Sequence, residues 1–210
     1  MVQRQGNLII ISAPSGAGKT TLVHGLVEST PNLLVSISHT TRAKRESEKD
    51  DMDYHFVDIP TFQSLIEKNE FIEYAEVFGH YYGTSRQWVE QQLANGNHVI
   101  LEIDWQGAQQ IRHKLKQTVS IFILPPSYES LEARLHKRGD NDMVVRERMQ
   151  CAAAELSHYR EYDFLVINDD VETALQELRA IVRATAHGYA QQKPFYDDFV
   201  SQLLINTTDE

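Results

Sequence analysis

A glycine-rich loop follows the first strongly apolar segment of the chain and carries the clearest chemical signal in the sequence. The loop lies between the apolar run 8–11 and a helix-like segment, 19–28. Glycines let consecutive backbone N–H groups turn towards a phosphate, and the following helix begins with the positive end of its dipole there. The pattern predicts a site for the phosphates of a nucleoside triphosphate, formed by Ala13, Pro14, Ser15, Gly16, Ala17, Gly18, Lys19, Thr20 and Thr21.

Two side chains of this loop have predicted chemical roles. Lys19 is expected to place its positive charge on the β- and γ-phosphates, and the Thr20 hydroxyl is expected to ligate Mg²⁺. Ala13 stands where the strict pattern has glycine, which alanine can replace when φ is negative. The alternative is a tight strand-to-helix turn without a ligand, and the spacing Gly-x-Gly-Lys-Thr after an apolar run argues against it.

A pair of carboxylates at the end of another apolar run would complete such a site. Glu102 and Asp104 follow the run 99–101 and are two residues apart, so in a strand both would face the same side. An acid at this place holds magnesium directly or through water. The alternative for either carboxylate is that it only caps the helix that starts near Gln106.

The apolar segments predict the frame that positions these residues. Five runs lack the alternation of a half-exposed strand, which indicates strands buried on both faces of a parallel sheet. They are residues 8–11, 34–37, 99–103, 121–124 and 164–167. Helical patterns separate them, over residues 19–28, 84–94, 108–116, 129–138, 143–159 and 171–186. This order predicts an α/β fold in which helices flank a parallel sheet core.

Two segments depart from the simple alternation of strands and helices. Residues 38–83 are polar and are predicted to form an inserted lobe of short strands with one helix, 61–68. Residues 127–158 are predicted to form two helices joined by a turn at 138–141, and their arginines suit a mobile cover over an anion. The last residues, 187–210, have a weak apolar pattern and are expected to form a partly docked tail.

The composition is that of an ordinary globular protein and argues against several classes. Among 210 residues, 30 acidic and 20 basic side chains give a net charge of −10, which disfavours binding to nucleic acid or to a membrane surface. One cysteine excludes an intrachain disulfide and suits a reducing compartment. Because the apolar segments are too short to cross a membrane, the chain is predicted to be cytoplasmic. Whether it forms a homo-oligomer is left open.

Beyond the phosphate loop, a series of motifs in order along the chain resembles the guanylate kinases of the bacterial type, which are ATP:GMP phosphotransferases. The motifs occupy residues 36–45, 53–57, 70–76, 79–85, 101–107, 123–127, 134–139 and 166–170. The resemblance implies ATP and GMP as substrates and a P-loop nucleoside monophosphate kinase fold over residues 7–186. Its implied parts are a core (7–37, 95–126 and 159–186), a GMP-binding lobe (38–94), a helical lid (127–158) and a C-terminal tail (187–210).

The resemblance also implies a role for each matching residue. The implied contacts to GMP are Arg42, Arg45, Tyr54 and Tyr82 for the phosphate, Glu73, Ser38 and Thr84 for guanine, and Glu102 between the two nucleotides. The implied catalytic residues are Lys19, Arg42, Asp104, Arg134, Arg138 and Arg148. Guanidinium groups can hold phosphate bidentately, and a carboxylate suits the N1–H and N2–H₂ donors that adenine lacks. The arginines are expected to have few counter-ions nearby until phosphate arrives.

One segment departs from the family pattern. After Arg42 the family usually has a proline and then Arg-Pro-Gly-Glu, whereas this chain continues Ala43-Lys44-Arg45-Glu46-Ser47-Glu48. Without the prolines and the glycine, the loop is expected to be less pre-organised, and Lys44 is an alternative to Arg45 as a phosphate contact.

Two other functions compete with this interpretation. A scaffold domain of the same fold would bind phosphopeptides without catalysis, but such domains typically have a degraded phosphate loop, and the loop of this chain is intact. A different small-molecule kinase would act on AMP, UMP, dTMP or shikimate. Glu73, together with Ser38 and Thr84, is the feature that favours GMP over these acceptors.

Overall fold

Two β-sheets organise the chain. The computed structural model describes residues 4–46, 48–139 and 141–205, so Ser47 of the predicted loop, Asp140 of the predicted turn and residues 206–210 of the predicted tail lie outside it. In chain order the strands are β1 (Leu8–Ser12), β2 (Leu33–Val35), β3 (His39–Thr40), β4 (His55–Phe56), β5 (Phe71–Val77), β6 (His80–Ser85), β7 (His98–Glu102), β8 (Val119–Leu124) and β9 (Phe164–Ile167). The main sheet has the order β2-β7-β1-β8-β9 with every pair parallel, which confirms the predicted α/β core.

Helices lie between and after the strands, and most of them have bounds close to those that the sequence predicts. They are α1 (Lys19–Glu28), α2 (Ile59–Glu67), α3 (Arg86–Ala94), α4 (Trp105–Lys114), α5 (Tyr128–Lys137), α6 (Asp142–Ser157), α7 (Val171–Thr185) and α8 (Tyr189–Ile205), with a 3₁₀ turn at His158–Glu161. The prediction of a helix from Thr84 is wrong, because Thr84 pairs within β6 and α3 starts at Arg86, after the Ser85 hydroxyl that caps it. Among the described residues, no helix has the length and apolar character needed to span a membrane.

Both faces of the main sheet are buried along β1, β7 and β8, as their apolar runs predict. The prediction is wrong for the edge strand β9, where Phe164, Leu165 and Ile167 are exposed. Ile9 and Ile11 of β1 belong to one core cluster with Leu22 of α1, whereas Leu8 and Ile10 belong to a second cluster. Successive side chains of a strand point to opposite faces, so β1 contributes to both clusters. The strand that precedes the phosphate loop is therefore the central and most enclosed strand of the sheet.

The second sheet, in the order β4-β3-β6-β5, forms the inserted lobe together with α2. Its main unit is the β5–β6 hairpin, which turns at Phe78 and Gly79, both with positive φ. A register shift between Phe71 and Glu73 places Glu73 directly opposite Thr84 of β6. The lobe thus brings together two polar residues that are eleven positions apart in the sequence.

The C-terminal segment, expected as a partly docked tail, is a helix that is docked near its start. It forms α8, which is kinked at Gln192 close to Pro194. Gln192 is buried, and its side-chain amide donates a hydrogen bond to Asn7 Oδ1 at 2.9 Å. This contact anchors the start of α8 beside the N-terminal end of β1, at the opposite end of that strand from the phosphate loop.

Candidate functional site

The phosphate loop joins β1 to α1 in a conformation suited to binding an anion. Gly16 and Gly18 have φ values of 94° and 92°, a region that side chains other than hydrogen make costly. The Ala17 N–H donates to the Pro14 carbonyl at 3.1 Å, which closes the turn. Gly18 is the N-cap of α1 and offers no side-chain cap, so the first N–H groups of α1 are available for phosphate oxygens.

Two side chains from outside the loop hold it in place. Asn168, after β9, donates from Nδ2 to the Ala17 carbonyl at 2.7 Å. Arg134 of α5 donates to the same carbonyl at 3.2 Å and to the Asn168 carbonyl at 2.8 Å. A Cβ atom on Gly18 would lie 2.3 Å from Asn168 Nδ2, so only glycine fits. Arg134 lies beside the loop as the resemblance implies, whereas Asn168 is a residue that the sequence reasoning misses within the motif 166–170.

Lys19 and Thr20 both reach the segment at the end of β7. Lys19 Nζ donates to the Ile103 carbonyl at 3.4 Å, and Thr20 Oγ1 donates to Glu102 Oε1 at 2.5 Å. Hydroxyl and carboxylate oxygens are the donors that Mg²⁺ prefers, so this pair fits the metal expected at Thr20. In the part of the chain that the structure describes, no group of three His, Cys, Asp or Glu side chains could hold a metal ion. A metal here would need further ligands from phosphate or water.

Asp104 lies between the two halves of the site. Its Oδ1 accepts a hydrogen bond from the Gly107 N–H at 3.0 Å, and its Oδ2 accepts one from the Gln106 side chain at 2.9 Å, so Asp104 caps α4. Its negative charge adds to burial in raising the pKa values of both Glu73 and Glu155. Asp104 therefore has the capping role that the sequence leaves open. Its charge acts both on Glu73 of the inserted lobe and on Glu155 beside the phosphate loop.

The lid arginines differ in their surroundings. Arg148 of α6 donates from Nη1 to Ser15 Oγ at 3.0 Å, and its guanidinium carbon lies 6.0 Å from the centre of the Phe78 ring. Phe78 is at the tip of the β5–β6 hairpin, so Arg148 contacts the phosphate loop and the inserted lobe together. Arg138 is exposed at the C-terminal end of α5, where its N–H closes the helix.

A carboxylate of α6 contacts the same loop residue as Arg148. Glu155 Oε2 accepts a hydrogen bond from the Ser15 N–H at 3.2 Å. Burial raises the pKa of Glu155 above its ordinary value, although the Ser15 N–H and Lys19 favour its charged form. Glu155 follows Arg148 by about two helical turns, so both side chains project from one face of α6. The sequence motifs do not single out Glu155, and its spacing from Arg148 is the signal that could have found it.

Glu73 is the buried carboxylate at the centre of the inserted lobe. The residue is 3% exposed, and its Oε1 accepts a hydrogen bond from the Thr84 hydroxyl at 2.5 Å. Burial raises the pKa of Glu73 to about 7, while the Thr84 hydrogen bond and the charge of Lys114 oppose that rise. The structure therefore brings Glu73 and Thr84 together as the resemblance implies, in a place where the carboxylate is a strong acceptor for N–H donors.

Helix α4 closes around Glu73 and fixes the strand that carries it. A Cβ atom on Gly107 would lie 2.4 Å from Glu73 Oε2, so any side chain at that position would displace the Glu73 carboxylate. Further along α4, Gln110 donates to the Tyr74 carbonyl at 2.6 Å, and Lys114 donates to the Ile72 carbonyl at 2.9 Å. The close approach at Gly107 thus belongs to the environment of the guanine-reading carboxylate that the sequence predicts.

Arg42 forms a partly buried ion pair with Glu48. Its Nη2 and Nη1 donate to the two carboxylate oxygens at 2.7 and 3.1 Å, and the Arg45 N–H donates to the same carboxylate at 2.8 Å. Burial disfavours the charged form of Glu48, but the hydrogen bonds with Arg42 and Arg45 hold its pKa below the usual value. The expectation of few counter-ions is wrong here, because Glu48 serves both arginines and organises the loop that lacks the family's prolines.

Aromatic residues surround this ion pair. The Arg42 guanidinium carbon lies 5.4 Å from the centre of the Tyr54 ring, and the Tyr54 and Tyr82 rings meet edge to face with their centres 6.0 Å apart. Burial raises the pKa of Tyr54 to about 12, so its phenol remains a hydrogen-bond donor. Ser38 is buried just before β3. The structure gathers Arg42, Tyr54 and Tyr82 in one place, with the Arg45 side chain about half exposed beside them.

Known proteins match this chain over nearly its whole length. Residues 5–185 match the family model described as guanylate kinase. The chain is 51% identical to the guanylate kinase of Aromatoleum aromaticum over 201 residues, which cover 94% of this chain and 98% of that protein. It is 52% identical to the guanylate kinase of Vibrio cholerae over 203 residues, covering 95% and 98%. It also resembles the crystal structure of guanylate kinase from Anaplasma phagocytophilum, with a TM-score of 0.78, 37% identity and coverage of 91% and 92%.

Proposed function

This chain belongs to the guanylate kinase family, and we propose that the phosphate loop and the inserted lobe bind the two nucleotides of that family's reaction. The enzyme transfers the γ-phosphoryl group of ATP to GMP, giving ADP and GDP. The observation that carries the assignment of the acceptor site is the buried pair of Glu73 and Thr84. A fixed carboxylate accepts hydrogen bonds from the N1–H and N2–H₂ groups of guanine and repels the N1 lone pair of adenine.

The phosphate loop is the proposed site of the ATP phosphates. Its N–H groups and the start of α1 bind the oxygens, and Lys19 places a charge on the β- and γ-phosphates. Arg134 and Arg148 already contact the loop from the lid, and they add positive charge where negative charge develops during transfer. Arg138, at the end of α5, is proposed to join them when the lid moves inwards.

The inserted lobe is the proposed site of GMP. Glu73 reads guanine, and the buried hydroxyls of Ser38 and Thr84 supply further polar contacts at its edge. The phosphate of GMP is held by a second group of side chains, Arg42, Arg45, Tyr54 and Tyr82, with Glu102 facing the space between the nucleotides. Guanidinium and phenol groups both donate hydrogen bonds to phosphate oxygens, and Glu48 keeps the Arg42 guanidinium in one orientation.

Positioning and charge neutralisation are sufficient for this transfer, and no covalent intermediate with the protein is required. Mg²⁺, when bound, neutralises phosphate charge, and Thr20 and Glu102 are the residues proposed to hold it. Asp104 caps α4 between the two sites, and its proposed role is to fix this end of the sheet and to shape the local field.

The proposed parts of the enzyme follow from this assignment. They are a core (7–37, 95–126 and 159–186), a GMP-binding lobe (38–94) and a lid (127–158). A cytoplasmic location is proposed as well, which the single cysteine supports because it suits a reducing compartment.

A steady-state assay with a panel of acceptors tests the proposal. ATP, Mg²⁺ and each of GMP, AMP, UMP, dTMP and shikimate are supplied in turn, and ADP formation is followed by a coupled reaction. GMP is expected to give the highest kcat/KM, because it presents both N–H donors to Glu73. Another acceptor in first place would contradict the assignment of the lobe, and formation of no ADP with any acceptor would contradict kinase activity.

A further inference from the structure

In each half of the proposed site, one phosphate-binding group contacts a carboxylate of the chain itself. Glu48 lies against Arg42, and Glu155 lies against the Ser15 N–H of the phosphate loop. We call these two groups the internal carboxylates. A carboxylate is an anion with oxygen acceptors, so it can satisfy the same N–H groups that phosphate would satisfy. The contact of Glu155 is of special interest, because its partner is a backbone group of the loop itself.

We propose that Glu155 competes with the phosphates of ATP for the phosphate loop, so that ATP binding moves its carboxylate away from Ser15 and shifts α6. This inference rests on the proposed function, in which the loop is the ATP site. Like charges at contact distance in a partly buried place repel strongly. The charge of Asp104 already acts on Glu155 there, so a triphosphate would add to an existing negative charge.

The two contacts of α6 with Ser15 respond to phosphate in opposite directions. Arg148 donates to Ser15 Oγ at 3.0 Å and is attracted by phosphate, whereas Glu155 accepts from the Ser15 N–H at 3.2 Å and is repelled by it. Both side chains project from one face of α6, so ATP binding favours a rotation or shift that keeps the arginine near the loop and releases the carboxylate. Because Arg148 also contacts Phe78, the same movement would displace the tip of the inserted lobe.

The affinity for ATP in the absence of GMP tests this competition. Binding of a non-hydrolysable ATP analogue with Mg²⁺ is measured by calorimetry for the wild type, Glu155→Gln and Glu147→Gln. Glu147 is an exposed residue of the same helix, so its variant removes one negative charge from α6 while leaving the contact of Glu155 with Ser15 in place. Glu155→Gln is expected to bind the analogue about fivefold or more tightly than the wild type, in the usual range of coupling between sites. Glu147→Gln is expected to bind it like the wild type.

A second variant and a second measurement keep the test decisive. Glu155→Asp retains the charge and is expected to show no gain in affinity, and thermal unfolding shows whether each variant is folded. In the wild type, hydrogen exchange at residues 151–157 is expected to change when the analogue binds. Equal or weaker affinity of Glu155→Gln, or unchanged exchange in that segment, would overturn the competition. A wild-type protein that binds no analogue would overturn the proposed function instead, so the two failures are distinguishable.

Discussion

The two halves of the proposed site, one for the phosphoryl donor ATP and one for the acceptor GMP, offer different groups to phosphate. The phosphate loop uses backbone N–H groups of one continuous segment, and Asn168 and Arg134 fix it through a single carbonyl, that of Ala17. The acceptor half uses side chains from separate strands and a loop, and its main arginine, Arg42, is held by Glu48. A backbone site is therefore fixed by chain conformation, whereas a side-chain site needs a counter-ion to keep its charged groups in place.

The internal carboxylates of the two halves differ in the number of hydrogen bonds that hold them. Glu48 receives two hydrogen bonds from Arg42 and one from the Arg45 N–H, and its side chain is 11% exposed. Glu155 receives one longer hydrogen bond from a backbone N–H. Breaking the hydrogen bonds of Glu48 leaves the partly buried charge of Arg42 without a counter-ion, whereas the single contact of Glu155 is readily exchanged. Glu48 is thus part of the lobe's framework, and Glu155 is suited to leave.

The largest expected effect is on the donor side, with Lys19→Met. Loss of the charge on the transferring phosphate should lower kcat about a hundredfold to a thousandfold, with GMP remaining the preferred acceptor. Steady-state kinetics with ATP and GMP measure the effect. Lys116→Met, which removes an exposed lysine after α4, serves as the control and should retain normal turnover. Near-normal turnover of Lys19→Met would mean that the loop is not the ATP site.

Glu48→Gln and Glu155→Gln compare the two internal carboxylates directly. Glu48→Gln leaves the partly buried Arg42 charge without its counter-ion and weakens three hydrogen bonds, so the free energy of unfolding should fall by about 2–3 kcal/mol. Glu155→Gln retains an oxygen that can accept from the Ser15 N–H, and should change stability by less than about 1 kcal/mol. Chemical denaturation of both variants gives the two values. Equal losses would remove the distinction drawn between the two halves.

Glu73→Gln tests the acceptor half alone. The amide keeps the size of the side chain but turns one acceptor into a donor that faces the donors of guanine. The transition-state stabilisation given by kcat/KM for GMP should therefore fall by about 1–3 kcal/mol, while KM for ATP stays unchanged. Glu76→Gln, on the exposed side of the same strand, should behave like the wild type. An altered KM for ATP in Glu73→Gln would show that Glu73 does not serve guanine.

A smaller effect is expected from pH. The pKa of Glu73 is raised to about 7, chiefly by burial, with Asp104 adding to the rise and Lys114 opposing it. The carboxylate must be ionised to accept both guanine donors, so raising the pH from 6 to 8 should lower KM for GMP about severalfold. The ratio of KM for GMP of the wild type to that of Glu73→Gln, taken at each pH, cancels the titration of GMP itself. A flat ratio would mean that Glu73 is already fully ionised at pH 6.

The donor half could be predicted from the sequence because its information is local. Gly16, Gly18, Lys19 and Thr20 are nearly adjacent, and the apolar strand before them sets their context. The acceptor residues became recognisable only through several motifs taken together. Thr84 illustrates the difficulty, since its segment has a helical pattern, yet strand pairing with Glu73 decides its structure.

Contacts between distant segments account for what could not be predicted. Asn168 and Glu155 reach the phosphate loop across 151 and 140 positions of the chain, and only the packing of β9 and α6 brings them there. Glu48 lies in an acidic and basic run whose default is a solvated surface, so nothing local marks it as buried. In the tail, Pro194 and the weak apolar pattern do not indicate a helix, yet α8 forms there and Gln192 anchors it to Asn7.

The separation of the two sheets has a mechanical consequence. The described strands of the inserted lobe share no hydrogen-bonded ladder with the main sheet, so the lobe can tilt without breaking strand pairs. Beside α4 it rests on the backbone at Gly107 and on long side chains, among them Gln110 and Lys114, that can follow a displacement by changing rotamer. A tilt about α4 would move Glu73, next to the helix, least and Phe78 at the far tip most. In the proposed complex, guanine would therefore stay hydrogen-bonded to Glu73 while the tip of the hairpin moves.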